Sequence, residues 1–417
     1  MESHAAVSLL VITAAAVLAP LLSELLRRFR IPVVLFELIL GIIVGPAVLG
    51  WAEVTPLIAG LAELGLCLLF FLAGYELDFS RIRGAPLNRG IVGWCVTLGI
   101  GLAVGALLAS QGFVISSLLI GLALTTTALG TLLPMLSDRG LLETRFGAFL
   151  IAAGAVGEFG PVLAVTLLLG TTQPLGEAAL LVLFVAIAVG VAWVAARPQP
   201  PRLIEMLRRH LETSSQLPVR ILMLLVVGMV ALASVLGLDV LLGAFAAGLI
   251  ARLAIRPEQV AELKPRVEAI GFGFFIPLFF VVSGMKFDLS SLLSSPSNLV
   301  RLAVFAALLL LVRGVPALFV YRGVLSASER TSLMFLQATA LPLLVVITQI
   351  GVQTQQMRPE NATALVGAGM LSVLVFPLVG FAILDRSRRD VPLDDVPLDD
   401  GPVSDERPAS GSGTAGA

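Results

Sequence analysis

Apolar stretches long enough to cross a bilayer recur along almost the whole chain, and they constrain its fold more than any other feature. A membrane-spanning helix needs about 20 predominantly apolar residues, and in lipid only helices and closed barrels satisfy every backbone polar group. We identify thirteen such segments, at residues 6–26, 33–49, 57–74, 90–110, 115–136, 146–169, 177–196, 218–236, 239–254, 267–284, 299–321, 330–350 and 362–384. The chain is also only 13% charged, against about 25% in soluble domains. The sequence therefore predicts an all-α integral membrane protein.

The positions of the basic residues predict its orientation. If the N-terminus lies outside, almost all of the 27 Lys and Arg residues fall in inside loops. Only Lys286, Arg301 and Arg358 fall outside, and Arg313 lies within an apolar segment. Because cytoplasmic loops carry an excess of Lys and Arg, we expect a multi-pass protein of the cell inner (plasma) membrane with its C-terminus in the cytoplasm.

The two halves of the chain resemble each other. The run LFFLAGYELDFS at Leu69–Ser80 returns, with one inserted residue, as LFFVVSGMKFDLS at Leu278–Ser290. With six helices in each half and one connecting helix, the second half starts on the opposite side of the membrane, as in inverted-repeat secondary transporters. We predict a transmembrane domain at 1–384, with repeats at 6–169 and 218–384 joined by a connecting helix at 177–196. A disordered acidic cytoplasmic tail at 385–417 follows it.

One acidic and one basic residue lie deep in apolar segments. A carboxylate mid-membrane costs roughly 2.5–3.5 kcal/mol on insertion scales, so Glu158 is our candidate proton- and cation-binding residue. Arg313 stays charged at any physiological pH and is the candidate for charge compensation. The alternative is a structural Glu158, protonated or paired with Arg313. Gly157, Gly160 and Pro161 flank Glu158 and are expected to leave space for water or an ion.

Threonines and prolines recur at matching places in the two halves. The candidate ion ligands in the first half are Thr125, Thr126 and Thr127, and Gln337 and Thr339 are candidate contacts in the second. Pro134 and Pro342 follow them, and proline removes a helical hydrogen bond, so both stretches are predicted to be unwound. Carbonyl and hydroxyl oxygens freed there suit a hard cation. In the alternative interpretation, the hydroxyls simply bond carbonyls one turn earlier.

The remaining polar residues exclude other classes of protein. Two further acidic residues, Glu37 and Glu63, could line a vestibule or reach the membrane interface, and we expect neither to titrate together with Glu158.

The two cysteines lie in apolar runs, and the two histidines lie in a terminus and a loop, so we expect no enzyme chemistry and no cofactor. A net charge of −1 argues against a nucleic-acid partner; the expected partner is membrane lipid.

The segments FELILGIIVGPAVLG, ELGLCLLFFLAGYELDF, LTTTALGTLLPML, GFGFFIPLFFVVSGMKFDL and VRGVPALF together resemble the monovalent cation/proton antiporter superfamily. The resemblance is closest to its Kef-like, sodium/proton exchanger-domain branch and covers nearly all of 6–384. It implies two inverted repeats with crossed discontinuous helices. It also implies a homodimerisation panel (crossings 1–3 and 8–10) and a core (crossings 4–6 and 11–13) that moves like an elevator. The nucleotide-binding regulatory domain of many Kef-like relatives is not expected in this chain.

The same resemblance assigns roles to individual residues. Glu158 falls where the family has its essential ion-binding aspartate, and Arg313 falls where it has a Lys or Arg on the opposed helix. Gly157 takes a place that is Asp in electrogenic members and Asn in many electroneutral ones. A longer acid at 158 and no side chain at 157 are this chain's two departures, and both bear on ion coordination.

These residues favour a secondary active antiporter that exchanges H⁺ for Na⁺ or K⁺, one for one and without net charge movement, with Glu158 as the shared site. Two alternatives remain open. One is a channel-like K⁺ efflux pathway on the same fold, and the other is an organic-anion/sodium symporter. A single deep carboxylate favours exchange over the first. One deep arginine, with no clear second acidic site, disfavours the second.

Overall fold

The computed structural model describes residues 3–26, 31–76, 82–168, 174–195, 197, 216–254 and 257–390. Within these ranges the regular elements are helices and no strand occurs. The predicted all-α fold is therefore confirmed.

In the described residues of the first half there are seven helices, followed by the connecting helix. They are α1 (Ser3–Leu25), α2 (Val33–Val44), α3 (Pro56–Glu76), α4 (Ala85–Ser110), α5 (Ser117–Ala123), α6 (Leu129–Asp138), α7 (Arg145–Leu168) and the connecting helix α8 (Pro174–Ala195).

The described part of the second half contains helices and two π-helical turns. Its helices are α9 (Leu217–Val235), α10 (Val240–Ala254), α11 (Pro257–Ile270), α12 (Ile276–Met285), α13 (Leu289–Leu293), α14 (Pro296–Leu308), α15 (Pro316–Val320), α16 (Ala327–Gln337), α17 (Pro342–Gln353) and α18 (Pro359–Asp390). The π-helical turns, at Gly271–Phe275 and Leu309–Gly314, join α11 to α12 and α14 to α15.

The helices have the lengths that a membrane protein requires. In the described part of the chain, nine helices are long and apolar enough to cross a bilayer, and three apolar helices are shorter. The broken pair α5–α6 accounts for the remaining predicted segment, 115–136. The exact number of crossings and the inverted symmetry of the repeats stay predictions.

Two of the predicted segments are each divided into two short helices. The chain leaves helical geometry between Ala123 and Leu129 and again between Gln337 and Pro342. The second break follows from its sequence, because the residue before a proline is disfavoured in the α conformation and Leu341 has φ −153° before Pro342. Both predicted unwound stretches are therefore present.

Glycines let the helices around this centre approach closely. A Cβ on Gly41 of α2 would overlap the main chain of Val281 in α12, and a Cβ on Gly284 would overlap the main chain of Leu38. Small residues at such contacts are typical of helix packing in membranes. Helix α2 is therefore held firmly against α12.

The last helix extends past the predicted end of the transmembrane domain. Helix α18 continues to Asp390, so the beginning of the segment predicted to be a disordered tail is helical. Residues 391–417, which contain the acidic repeat, lie outside the described residues.

Candidate ion-binding site

Glu158 lies in the middle of α7 and is almost completely buried, with 2% of its surface exposed. The main-chain N–H groups of Leu129 and Gly130, the first two residues of α6, donate to its carboxylate. Unsatisfied N–H groups at a helix N-terminus stabilise a negative charge. The carboxylate atom Oε2 has no hydrogen-bond partner. The side chain thus combines an anion-stabilising helix end with a free oxygen.

The two helix breaks contact each other directly beside α7. The Thr127 N–H donates to the Gly157 carbonyl over 3.0 Å, and the Ala128 N–H donates to the Thr339 carbonyl over 2.7 Å. The Gly157 carbonyl is available because Pro161, four residues later, has no N–H to donate. The proline of α7 therefore helps to fix the first break next to the carboxylate.

Arg313 is fully buried at the centre of the same structure, in the π-helical turn that precedes Pro316. Its Nε donates to the Thr127 hydroxyl (2.8 Å) and its Nη2 donates to the Ala153 carbonyl (2.7 Å). It forms no ion pair with Glu158. The arginine joins the first break to α7 through neutral oxygens, whereas the sequence led us to expect direct compensation of the Glu158 charge.

Gln337 completes the connection between the two breaks. Its Nε2 donates to the main-chain oxygens of Arg313 (2.6 Å) and Gly314 (3.3 Å). The main-chain carbonyl of Gln337 accepts from the Thr127 hydroxyl over 2.6 Å. Thr127 therefore donates to one break and accepts from Arg313 at the same time, which links three elements through one oxygen.

The three consecutive threonines differ in what their hydroxyls contact. Those of Thr125 and Thr126 donate to the carbonyls of Leu122 and Ala123, three residues earlier, over 2.8 Å each. This is the local bonding that the sequence left open as the alternative interpretation. Only Thr127 reaches across to the second break. The Thr339 hydroxyl is buried and has no partner, so it is a second free oxygen at the crossing.

The spaces beside the glycines that flank Glu158 are filled by side chains. A Cβ on Gly157 would overlap the Arg313 guanidinium, and a Cβ on Gly160 would overlap the Trp94 indole. Our expectation that these glycines leave room for water or an ion is wrong. They make room instead for two large side chains from neighbouring helices.

Two residues of this structure were missed from the sequence. The Ser372 hydroxyl in α18 accepts from the Ala340 N–H (3.0 Å). It gives a main-chain N–H of the second break a hydrogen-bond partner, as the Gly157 carbonyl does for the Thr127 N–H of the first break. Thr131 lies on α6 and its hydroxyl donates to the Ala128 carbonyl over 2.8 Å. Each is a polar residue in an apolar run near a predicted break, and that signal could have identified them.

A cleft of about 2230 Å³ leads toward this centre. Gly130 and Thr131 line it close to the carboxylate, and its otherwise largely apolar wall includes eight charged residues: Glu24, Glu37, Glu76, Arg139, Arg252, Lys264, Glu268 and Asp385. Lys264 forms ion pairs with Glu76 (3.3 Å) and Glu268 (3.4 Å), and Arg139 pairs with Asp385 (2.9 Å). The cleft therefore connects these charged side chains with the helix end that contacts Glu158.

The two other candidate acids lie in different places. Glu37 on α2 lines the cleft and has only 5% of its surface exposed. Glu63 on α3 is exposed and is absent from the cleft lining. The structure thus brings Glu37 into the space next to the site and leaves Glu63 outside it, which a sequence with one acid in each helix could not distinguish.

Two contacting helix breaks beside a buried carboxylate in a helical membrane protein are the architecture of secondary transporters. The sequence matches the family described as "Sodium/hydrogen exchanger, transmembrane" over residues 13–386. The chain belongs to this family, which confirms the resemblance to the cation/proton antiporter superfamily. The Kef-like branch stays a prediction.

Individual relatives support the same grouping. A Na⁺/H⁺ antiporter of Enterococcus hirae is 28% identical over 382 residues, which are 86% of this chain and 93% of that protein. YjbQ of Bacillus subtilis is 26% identical over 402 residues, and the chain spans only 63% of that longer protein. The sodium proton antiporter MjNhaP1 of Methanocaldococcus jannaschii has the same fold, with a TM-score of 0.59, 16% identity, and coverage of 89% of this chain and 97% of that one. These relatives are transporters rather than enzymes.

Proposed function

We propose that the protein is a secondary active antiporter that exchanges H⁺ for Na⁺ or K⁺ by alternating access, with Glu158 as the shared proton and cation site. The observation that carries this proposal is the Glu158 carboxylate, which is buried at the N-terminal end of α6 and keeps one oxygen without a partner. An oxygen ligand of this kind binds either a proton or a hard cation, so the two ions compete for it. The names of the relatives agree with such an exchange.

The other residues have supporting roles in this proposal. Thr127, Gln337 and Arg313 hold the two breaks together, while the free hydroxyl of Thr339 and the carbonyls of the breaks are available as oxygen ligands. We place Thr125 and Thr126 beside the ion through their hydroxyl oxygens, which can still accept or coordinate while they donate to carbonyls. The residue types do not select between Na⁺ and K⁺, because oxygen cavities differ in geometry rather than in composition.

We also propose that the protein is a homodimer in the plasma membrane, with its N-terminus outside and its C-terminus in the cytoplasm. The distribution of basic residues supports the orientation, and the resemblance to the family supports the dimer. Cross-linking in native membranes, followed by a mass measurement of the purified protein, tests the dimer directly.

The exchange itself is tested in liposomes that contain the purified protein and a pH-sensitive dye. After a proton gradient is imposed, NaCl or KCl should change the internal pH, and choline chloride should not. Glu158→Gln should abolish this response, because glutamine keeps the shape of the side chain but carries neither proton nor charge. Glu158→Asp should retain part of it. Normal exchange by a folded Glu158→Gln protein would refute the assignment.

The same preparation separates exchange from a channel-like pathway. An antiporter moves K⁺ only together with an opposite movement of H⁺, so a proton gradient should drive K⁺ against its own gradient. A channel would only dissipate the K⁺ gradient, whatever the pH on the two sides.

A further inference from the structure

Glu37 is a buried carboxylate to which the exchange described above assigns no task. It lies five residues into α2, in the otherwise apolar sequence VVLFELILGIIV, and has 5% of its surface exposed. No hydrogen bond or ion pair joins its side chain to any residue in the described part of the chain. A buried carboxylate without a partner is strongly disfavoured when it is ionised, so Glu37 needs either a proton or a cation.

Among the residues that the structure describes, the charged groups around the cleft do not supply that cation. Helix α12, which packs against α2, contains no ionisable side chain, and α1 and α18 contribute the acids Glu24 and Asp385 to the cleft. The bases Lys264 and Arg139 pair with other carboxylates, and Arg252 also has an interaction partner. Helix α3 adds Tyr75 and Glu76. The described ionisable groups that line the cleft with Glu37 are thus acidic, phenolic, or basic groups that have other partners.

The position of Glu37 connects it to the transport site. It lines the same cleft as Gly130 and Thr131, and the Gly130 N–H donates to the Glu158 carboxylate. The close contacts of Gly41 and Gly284 fix α2 against α12, so Glu37 is held in place on the wall of the cleft. An ion that enters the cleft can therefore meet this carboxylate on its way to Glu158.

We propose that Glu37 is a second site at which a monovalent cation and a proton compete, and that it loads ions from the cleft onto Glu158. The proposal rests on the function above for the identity of the cation. At Glu37 the cation replaces a proton, the carboxylate becomes ionised, and the proton leaves through the cleft. Glu37 stays on α2 and does not add to the charge that Glu158 carries.

Proton release on cation binding tests this site without any need for transport. Purified protein in weakly buffered detergent solution receives NaCl or KCl, with choline chloride at equal ionic strength as the reference, and a pH indicator counts the protons released. The wild-type protein should release protons from two sites. Glu37→Gln and Glu158→Gln should each lose part of the release, and the double variant should lose all of it. Glu37→Asp should keep it.

The matched control is Glu63→Gln, the same substitution on a neighbouring membrane helix outside the cleft, which should release as many protons as the wild type. If the Glu158→Gln protein releases none, Glu37 binds no cation and the proposal fails. This result decides the question even if Glu37→Gln does not fold, because the Glu158 variant leaves Glu37 intact. Release by Glu37→Gln equal to that of the wild type would also overturn it.

Transport by the same variants separates this proposal from the proposed function. Glu37→Gln should keep exchange but raise the cation concentration needed for half-maximal rate several-fold, whereas Glu158→Gln should abolish exchange. If the wild-type protein did not exchange ions but released protons in a Glu37-dependent way, the function would fail and this site would stand.

Discussion

The guanidinium of Arg313 occupies the space into which a side chain on Gly157 would point. From there its Nη2 reaches the Ala153 carbonyl and its Nε reaches the Thr127 hydroxyl. The absence of a side chain at 157 and the presence of a long, branched cation at 313 are thus two parts of one packing arrangement. The missing side chain at 157, one of this chain's two departures from the family pattern, is thus matched by the Arg313 side chain, which fills the space.

Replacing Gly157 by Ala or Asn should displace Arg313 and lower the exchange rate. A hydrogen bond to a charged group contributes roughly 1.5–3 kcal/mol, so loss of one such bond should slow exchange by at least about tenfold if it holds the active geometry. Exchange in liposomes is the measurement. Gly99→Ala on α4 is the matched control, because its Cβ would meet no other atom within 4 Å.

A double-mutant cycle identifies Arg313 as the partner of Gly157. Lysine is shorter and lacks the branched group, so Arg313→Lys should retain more activity than Arg313→Ala, and the cost of Gly157→Ala should shrink in the lysine background. Additive effects of the two substitutions would contradict the packing relationship.

Thr127 should be far more sensitive to substitution than Thr126. Valine at 127 keeps the volume but leaves the Arg313 Nε without its acceptor, and an unsatisfied buried polar group costs about 1–3 kcal/mol, or more for a charged group. Valine at 126 removes a local bond to Ala123 and, in the proposed function, one oxygen beside the ion, so its main effect should be on exchange and not on stability. We expect a clear fall in both thermal stability and exchange for Thr127→Val, and only a small change in thermal stability for Thr126→Val. Equal losses of thermal stability would show that the link between the breaks is unimportant.

The sequence predicts the breaks well because their causes are local. Pro342 disfavours helical geometry at Leu341, and consecutive threonines offer the backbone side-chain bonds in place of helical ones. The importance of Glu158 can also be predicted from the sequence, because a carboxylate within a long apolar segment is energetically costly and is usually kept for a function. These signals depend on the residue and its immediate neighbours along the chain.

The partner of Arg313 could not be predicted in this way. Arg313 lies in a π-helical turn, where the Val315 N–H bonds the Leu310 carbonyl five residues earlier, so the regular helical periodicity does not give its direction. The difference between Glu37 and Glu63 has a similar origin. Each is one acid in an apolar helix, and only the packing of the helices decides which one faces the cleft.

The predicted orientation is tested by labelling single cysteines, introduced after Cys67 and Cys95 are replaced. A cysteine at position 174 should react with an impermeant reagent from outside, and one at position 202 should react only after the membrane is opened. The physical reason is the excess of basic residues in the loops predicted to be inside. Labelling of both positions from the same side would refute the topology.

Exchange should be one for one and electroneutral, because Glu158 is the single carboxylate on α7 and Arg313 keeps its charge throughout. One carboxylate holds either one proton or one monovalent cation, so each half of the cycle moves a neutral site. Since the two ions compete, the apparent affinity for the cation should weaken as the pH falls. The measurement is exchange in liposomes with and without an imposed membrane potential. A rate that followed the voltage would mean that a second charge crosses with Glu158. Loss of this voltage dependence in Glu37→Gln would then identify the carboxylate of the cleft wall as its carrier.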